Sequence, residues 1–394
     1  MQAFEFYSPT KVVFGKDTES HTGSEIKAFG GSRVFVIYGG SAKKSGLLDR
    51  VVKSLKENEL AYELCTGVLP NPRLSFARDA AKKAIDFKAD FILAVGGGSV
   101  IDTVKAVADA AGAPGADIWD FWTGKTPLEN ALPVGVVLTI SAAGSETSHS
   151  CVLTNDDTGS KRGLGSVWHR PKFAIMNPEL TYTLPPYQIA CGIVDILMHT
   201  LDRYFTPTKG NEMTDQIAEA LMRVVIKNGT VAMQNPQDYD AASELMWAGS
   251  LSHNGLTGLG AVPDFAVHYF GHELSAMYDT AHGASLSAVW EAWATYACKD
   301  NPGRFAHYGR TVWGITDGSE DEIALAAINK TVDYFKSINM PTCFSEIEEM
   351  GVVSDEVLNK FADGCSFQGS RPSIGSLKPL DRQGMYEVYK LANK

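Results

Sequence analysis

The sequence has few cysteines and no long uninterrupted apolar segment. No C-x-x-C pair occurs, which argues against both a disulfide framework and a cysteine-rich zinc site. The six cysteines are scattered over positions 65, 151, 191, 298, 343 and 365. The nearest candidate for a membrane span, residues 131–140, is interrupted by Pro133 and Gly135. The N-terminal residues lack the basic and apolar regions of a signal peptide, so we expect a cytoplasmic protein.

Positively charged residues are outnumbered by acidic ones. The chain has 35 lysines and arginines and 46 aspartates and glutamates, which gives a net charge of −11. This balance disfavours nucleic acids and anionic membrane surfaces as partners. With 44% apolar residues and 37 glycines, the composition is typical of a globular α/β enzyme. At 394 residues the chain exceeds what one hydrophobic core usually serves, so we expect two domains.

The first half of the chain alternates strand and helix patterns. The β-branched and aromatic run Arg33–Tyr38 ends at Gly39-Gly40-Ser41 and precedes an amphipathic pattern over 42–57. The segment 90–95 is apolar enough to be buried on both faces of a parallel sheet. Strands are predicted at 4–7, 11–14, 33–38, 61–65, 90–95, 132–138, 151–154 and 172–176, and helices at 42–57, 74–87 and 103–111. Such alternation predicts βαβ units and a parallel sheet.

A glycine-rich turn lies between one of these strands and the next helix. Gly96-Gly97-Gly98-Ser99 lets the backbone approach a ligand, and the free N–H groups of the helix that follows suit a pyrophosphate. An isolated turn of this kind could equally be only a tight connection, but the repeated strand–glycine–helix pattern favours a dinucleotide site. Because the turn is not the usual G-x-G-x-x-G motif, we predict a variant of the Rossmann fold.

The pattern changes at Leu184-Pro185-Pro186, beyond which helical periodicity dominates. We therefore predict two domains of different class. Residues 1–184 form an α/β dinucleotide-binding domain, a Rossmann-like variant with a parallel sheet. Residues 185–394 form an all-α domain that binds a metal.

One acid and three histidines in the second half have the spacing of a metal site. Asp195 and His199 lie four residues apart, which places both side chains on one face of a helix. His268 precedes His272 by the same interval, and His282 follows ten residues later. A lone histidine is more often structural, but here three signals coincide. We predict that Asp195, His199, His268 and His282 hold one catalytic divalent metal, Fe²⁺ or Zn²⁺.

These motifs together resemble the iron-containing (group III) alcohol dehydrogenase superfamily, and most closely its butanol dehydrogenase and broad aldehyde reductase branch. The resemblance covers nearly the whole chain. It rests on the glycine turn with Asp102, on segments 139–146, 182–186 and 271–274, and on the Asp195/His199 pair. It implies a metal-dependent, NADP(H)-linked alcohol dehydrogenase or aldehyde reductase that acts on short to medium primary alcohols and aldehydes. It also implies a homodimer or a higher homo-oligomer.

Transferred position by position, the resemblance implies roles for individual residues. The metal ligands fall on the four residues already named, and the pyrophosphate turn falls on 96–99 with Asp102 nearby. Thr139 and Ser141 match contacts on the adenine side of the cofactor, whereas Ser148 and Lys161 match positions near the nicotinamide and its ribose. Beside the catalytic His268, His272 matches a second histidine near the reacting centre. It either relays a proton or only makes hydrogen bonds that support the site.

The end of the first long strand bears on the choice of cofactor. NAD-preferring enzymes commonly place an acid there, which would repel a 2′-phosphate. This chain has Gly39, Gly40 and Ser41, followed by Lys43 and Lys44. NADP(H) is therefore favoured, although NAD(H) remains possible because the glycine run is shorter than the branch often has and both lysines could be solvated.

Several alternatives remain open from the sequence. The aromatic cluster Trp119, Phe121 and Trp122 either walls an apolar substrate pocket or packs in the interior. The reaction could instead be that of an NAD-dependent polyol dehydrogenase of the glycerol type. The lyase 3-dehydroquinate synthase would need a basic cluster, which is not seen near the metal-binding stretch. A non-catalytic scaffold would have no need for four metal ligands.

Overall fold

The computed structural model describes all 394 residues, which fall into two compact units. The sheet unit comprises Tyr7–Leu184 and Pro236–Ser250. The helical unit comprises Met1–Phe6, Pro185–Asn235 and Leu251–Lys394. This division changes at residue 184, where the sequence pattern also changes. Two segments differ from the predicted domain ranges: residues 1–6 belong to the helical unit, and residues 236–250 belong to the sheet unit.

The sheet unit contains eight strands, six complete helices and most of a further helix, which spans Tyr239–His253. The strands are β1 (Lys11–Phe14), β2 (Arg33–Tyr38), β3 (Ala61–Thr66), β4 (Phe91–Gly96), β5 (Val134–Leu138), β6 (Ser150–Asn155), β7 (Ser160–Gly165) and β8 (Phe173–Met176). The helices are α1 (Thr22–Ala28), α2 (Gly40–Lys44), α3 (Leu47–Glu57), α4 (Leu74–Asp86), α5 (Gly98–Gly112) and α6 (Ile118–Trp122). Six strands form a parallel sheet in the order β1-β8-β5-β4-β2-β3, and β6 pairs with β7 in an antiparallel hairpin. The predicted parallel sheet is therefore confirmed.

Helices cover both faces of the sheet, and alternate residues of a strand therefore belong to different cores. In β2, Phe35 and Ile37 pack into one buried cluster, whereas Val34 and Val36 pack into the other. All six residues of β4 are buried. This two-sided burial explains why the central strands read as continuous apolar runs rather than as alternating ones.

One strand prediction was wrong, and one strand was not predicted. Residues 4–7 form no strand, and Phe4, Phe6 and Tyr7 are exposed, because no other strand of the chain pairs with them. Conversely, β7 extends over residues for which no strand was predicted. Its sequence, with Gly163 and Gly165, has low strand propensity, and it is a strand because it pairs with β6 along its full length.

Two helix predictions differ in their limits. The helix predicted at 42–57 is split into α2 and α3, because Gly46 adopts a positive φ of 73° between them. Helix α5 begins at Gly98, five residues before the predicted start, so that Gly98 and Ser99 of the glycine turn belong to the first helical turn.

The helical unit consists of helices joined by connections of varied length. They are α7 (Pro186–Tyr204), α8 (Glu212–Gln234), α9 (Tyr239–His253, of which only the last residues belong here), α10 (Ala266–Tyr278), α11 (His282–Cys298), α12 (Pro302–Thr311), α13 (Glu320–Ser337), α14 (Asp355–Cys365) and α15 (Arg382–Ala392). Proline at the first position of α7 has its φ preset for a helix. Helix α7 packs against α8, α10 and α11. None of the helices combines the length and apolarity that a membrane crossing requires.

A strand glycine provides a test of packing in the sheet unit. Gly135 in β5 lies opposite Phe173 in β8, and a Cβ at this position would lie 2.4 Å from Cζ of that ring. We predict that Gly135→Ala lowers the free energy of unfolding by about 1–3 kcal/mol, because the ring must move within a packed core. The melting temperature should fall by about 2–4 °C for each kcal/mol.

The matched control is Gly163→Ala in β7. A Cβ there would meet only Val152 at an ordinary 3.7 Å, so its effect should stay within about 0.5 kcal/mol. Equal melting temperatures for the two variants would contradict this account of the close contact.

Candidate metal centre and cofactor loops

Helix α7 carries three buried polar side chains on one face. Asp195, His199 and Asp202 follow one another at intervals of four and three residues and are at most 5% exposed. Helix α11 approaches α7 closely at this level, since a Cβ on Gly283 would lie 2.3 Å from the main-chain oxygen of Cys191. The glycine therefore allows His282, its neighbour in the sequence, to reach the acidic face of α7.

Three of the four predicted ligands bring their ligand atoms together. Oδ1 of Asp195 lies 3.8 Å from Nε2 of His268 and 3.7 Å from Nε2 of His282. All three ligand atoms lie within 4.8 Å of one another. These separations are too long for hydrogen bonds. Nε2 of His268 is buried without a hydrogen-bond partner, and Oδ1 of Asp195 makes no hydrogen bond of good geometry, although Nδ1 of His199 lies 3.1 Å away. A divalent cation would satisfy both atoms, so the residues fit a metal.

Asp202 orients His268 for this role. Its Oδ2 lies 2.6 Å from Nδ1 of His268 and also accepts a hydrogen bond from the main-chain N–H of the same residue at 3.2 Å. Nδ1 therefore carries the proton, and Nε2 keeps its lone pair for a metal. Burial alone would lower the pKa of His268, but the carboxylates of Asp195 and Asp202 outweigh burial and raise it.

Sequence reasoning missed Asp202, although a signal was present. A carboxylate seven residues after Asp195 returns to the same face of a helix after two turns. Among so many buried apolar neighbours on α7, such a residue requires a polar partner.

His199 lies beside the three converging residues but does not join them. Its Nδ1 is 3.0 Å from the main-chain oxygen of Asp195 and 3.1 Å from Oδ1 of the same residue. The ring centroid is 4.3 Å from that of His268 and 4.0 Å from that of His253. Burial lowers the pKa of His199 to about 4, so the ring is neutral at pH 7. Its role as the fourth ligand stays a prediction.

Electrostatics favour a cation at this position. Burial would raise the pKa of Asp195, but the imidazoles of His199 and His282 outweigh burial and hold this pKa well below its usual range. The site therefore offers a carboxylate anion to a cation at pH 7. His272 lies one turn after His268 on α10, and its ring is 5.7 Å from that of His282. Both interpretations of His272 fit this position.

In the sheet unit, three predicted cofactor segments lie side by side at the carboxyl ends of neighbouring strands. They follow β2, β4 and β5, which are consecutive neighbours in the sheet, at their carboxyl ends. The N–H of Gly39 donates to Val95 at 3.1 Å, and the N–H of Thr139 donates to Gly96 at 3.2 Å. Strand β3, which follows β2 in the chain, lies on one side of β2 in the sheet, and β4 lies on the other side. Ligands of open α/β sheets bind at this kind of switch point.

The glycine turn leaves its peptide groups available for an anion. Helix α5 has Gly97 as its N-cap, and no side chain caps its first N–H groups. The uncapped N-terminus of this 15-residue helix presents free N–H donors and the positive end of the helix dipole. The turn therefore fits the pyrophosphate of a dinucleotide.

Other predicted cofactor residues make contacts inside the sheet unit. Oδ1 of Asp102 accepts a hydrogen bond from Ser145 at 2.6 Å, and Lys161 donates to Oδ1 of Asn71 at 2.8 Å. Ser148 is fully buried, whereas Ser41 is exposed. Their contacts with a cofactor remain predictions.

The aromatic cluster packs in the interior. Phe121 and Trp122 belong to the apolar core of the sheet unit, and Nε1 of Trp122 donates to the main-chain oxygen of Arg162 at 3.1 Å. Trp119 is partly buried against the same core. These contacts favour the packing alternative over a substrate pocket for this cluster.

Comparison with known proteins identifies the family of the chain. The family model described as iron-containing alcohol dehydrogenase matches residues 9–178, and the model of its C-terminal part matches residues 189–392. The chain belongs to the iron-containing alcohol dehydrogenase family. It is an NAD(P)-dependent alcohol dehydrogenase of the butanol dehydrogenase and aldehyde reductase branch, which confirms the resemblance seen in the sequence.

Relatives in the family are similar over most of their length. The NADH-dependent butanol dehydrogenase A of Clostridium acetobutylicum is 39% identical, with 99% of each chain covered. The NADPH-dependent aldehyde reductase YqhD of Escherichia coli is 37% identical over 88% of this chain and 89% of its own. Among solved structures, an NADH-dependent butanol dehydrogenase A from Thermotoga maritima has a TM-score of 0.95 at 36% identity and covers 100% of this chain and 99% of its own.

Asp202 yields a prediction about metal affinity. We predict that Asp202→Asn weakens the binding of Fe²⁺ or Zn²⁺ by about 10–100-fold, because the uncharged amide no longer increases the basicity of His268. Competition with a chelator, followed by measurement of metal per subunit, tests this without an activity assay. Thr200→Val is the matched control, because Thr200 is equally buried on α7 but bonds only to the main-chain oxygen of Ile196. Equal metal affinity in both variants would be the contrary result.

Proposed function

We propose that this enzyme is a metal-dependent, NADP(H)-linked aldehyde reductase and alcohol dehydrogenase for short to medium primary alcohols and aldehydes. The proposal includes a cytoplasmic location and a homodimer or higher homo-oligomer. The observation that carries it is the convergence of Asp195, His268 and His282 on one buried point. The names of the relatives, butanol dehydrogenase and aldehyde reductase, support the substrate class.

The metal site that we propose consists of Asp195, His199, His268 and His282. When bound, Fe²⁺ or Zn²⁺ supplies Lewis-acid polarisation of the substrate oxygen. The protein supplies one anionic ligand, Asp195, and neutral imidazoles, so that the site keeps a net positive charge next to the oxygen. Asp202 holds the proton on Nδ1 of His268 throughout. His272 is the side chain that we propose to donate or accept the substrate proton.

The sheet unit would hold the dinucleotide for hydride transfer. Its glycine turn, Gly96 to Ser99, binds the pyrophosphate through main-chain N–H groups, while Thr139 and Ser141 contact the adenine side. Asp102 lies near the pyrophosphate turn, and Ser148 and Lys161 complete the site towards the nicotinamide. Fixing the nicotinamide in this way makes hydride transfer a step between positioned groups, which removes much of its entropic cost.

The preference for NADP(H) rests on the end of β2. Gly39, Gly40 and Ser41 offer no carboxylate, and Ser41, Lys43 and Lys44 are exposed there. A hydroxyl and two cations would attract a 2′-phosphate, which an acid would repel. The relatives include both an NADH-dependent and an NADPH-dependent enzyme, so the preference has to be measured.

His268→Ala tests the function together with the metal site. We predict that the wild-type enzyme loaded with Fe²⁺ or Zn²⁺ oxidises NADPH with butanal, and that the variant loses bound metal and turnover in parallel. The measurements are metal per subunit and initial rates across short aldehydes, with glycerol and butanol compared in the oxidative direction. Full activity of the variant with its metal retained would contradict the ligand assignment. Higher rates with glycerol than with butanol would favour the polyol alternative, and no rate with any aldehyde would favour the scaffold.

Ser41→Asp tests the cofactor preference. We predict that the ratio of kcat/KM for NADPH to that for NADH falls about tenfold, because the new carboxylate repels the 2′-phosphate. Ser45→Asp adds the same charge to a nearby exposed residue and should change the ratio much less. A ratio that is the same in wild type and Ser41→Asp would show that Ser41 does not meet the 2′-phosphate.

A further inference from the structure

Helix α5 carries a fully buried lysine. Lys105 is 1% exposed, and its ammonium group lies among four oxygen atoms. Nζ donates to the main-chain oxygen and to Oγ of Ser145, both at 2.8 Å, and to the main-chain oxygen of Ser150 at 2.7 Å. The main-chain oxygen of Ser148 lies at 3.3 Å. A buried ammonium is tolerated only when it is surrounded by acceptors, and here the acceptors belong to one short loop.

The other carbonyl groups of this loop, residues 145–150, also point to interior donors. Nη1 of Arg170 donates to the main-chain oxygen of Thr147 at 2.7 Å. Nδ1 of His169 lies 3.3 Å from the main-chain oxygen of His149, and Nε2 of the same ring lies 2.8 Å from Oδ2 of Asp109. Cationic and polar side chains beneath the loop therefore hold its path up to Ser150, where β6 begins, and the N–H of Ser166 also donates to the main-chain oxygen of His149 at 2.9 Å.

A carboxylate one turn before Lys105 completes the arrangement. Oδ1 of Asp102 accepts the hydroxyl of Ser145 at 2.6 Å, and Oδ2 accepts the N–H of Val152 at 2.9 Å. The negative charge of Asp102 offsets the buried ammonium, which reduces the cost of burying either. Both residues belong to the helix that begins at the glycine turn.

We infer that Lys105 is a positioning residue that fixes loop 145–150 relative to the glycine turn. One helix thereby joins the turn that binds the pyrophosphate to the loop that carries Ser148, on the nicotinamide side. The inference rests on the proposed function, because it requires these two segments to bind the two ends of one dinucleotide. Loss of the ammonium removes a donor from three main-chain oxygens of the loop, and those of Ser145 and Ser150 then keep long contacts of 3.4 Å from the N–H and the hydroxyl of Ser148. We therefore expect the loop to change position while the glycine turn keeps its own main-chain structure.

Lys105→Met tests the inference, since methionine keeps most of the aliphatic stem without the charge. The ligands are NADPH and NADH, which contain nicotinamide, and ADP, which carries only the adenosine and pyrophosphate portion. We expect the variant to bind the preferred dinucleotide about tenfold more weakly and with lower kcat, while its Kd for ADP and its metal per subunit stay within about twofold of wild type. Lys105→Arg, which keeps the charge and several donors, should recover part of the loss.

Glu19→Gln is the control for general destabilisation of the sheet unit. Glu19 is 2% exposed and bonds to Arg50 and Asn177, with no contact to the loop. At a comparable fall in melting temperature it should leave the affinity for the dinucleotide unchanged. If Lys105→Met does not fold, Ser145→Ala replaces it, because this change removes the hydroxyl that joins Lys105 to Asp102. We then expect the affinity for the dinucleotide to fall about threefold and the affinity for ADP to stay the same.

The outcomes separate this inference from the proposed function. Wild-type affinity of Lys105→Met for the dinucleotide, or an equal loss for ADP and the dinucleotide, would overturn the role of Lys105 alone. Absence of dinucleotide binding by the wild-type enzyme would overturn the proposed function and this inference with it.

Discussion

The geometry of the metal centre depends on the hydrogen bond between Asp202 and His268. Both residues are buried, and a buried carboxylate costs several kcal/mol unless it is paired. Here the ring and the main-chain N–H of His268 both donate to the same oxygen of Asp202. Because this bond places the ring proton on Nδ1, Nε2 can only accept, and it faces Asp195. One contact between α7 and α10 therefore decides both where the imidazole lies and which of its atoms a metal can reach.

Contacts also hold the main chain at the start of α10, just before His268. Phe265 has a positive φ of 58°, which costs a bulky residue of order 1–3 kcal/mol. Two contacts hold it in place: Arg203 lies 4.7 Å from the centre of its ring, and Asp264 accepts the N–H groups of Ala266, Ser376 and Leu377. Burial raises the pKa of Asp264 to about 7, and these three N–H groups favour its charged form. Because the strained turn ends at Phe265, α10 begins at Ala266. This start places His268, two residues into the helix, where it can reach Asp202.

The sequence predicted the parts of this enzyme that depend on periodicity, and missed those that depend on contacts. Strands β2 and β4 are evident as apolar runs because helices cover both of their faces. Strand β7 is not evident, because its glycines form a strand only through pairing with β6. The spacing of Asp195 and His199 correctly places both on one face of α7. The orientation of the His199 ring depends on the main-chain oxygen of Asp195, which no spacing encodes.

The two segments of the sheet unit that we propose to bind the cofactor differ in the same way. The proposed role of the glycine turn depends on main-chain N–H groups, and its glycines are evident from the sequence. The loop at 145–150 is held from beneath, and the evidence for this lies in another segment, where Asp102, Lys105 and Asp109 follow one another at intervals of three and four on an otherwise apolar helix. A polar stripe of this kind on a helix that packs in a core would destabilise the fold unless each residue had a partner. Such a stripe therefore indicates that polar groups of other segments must cover it, and here these groups belong to the loop 145–150, to Val152 and to His169.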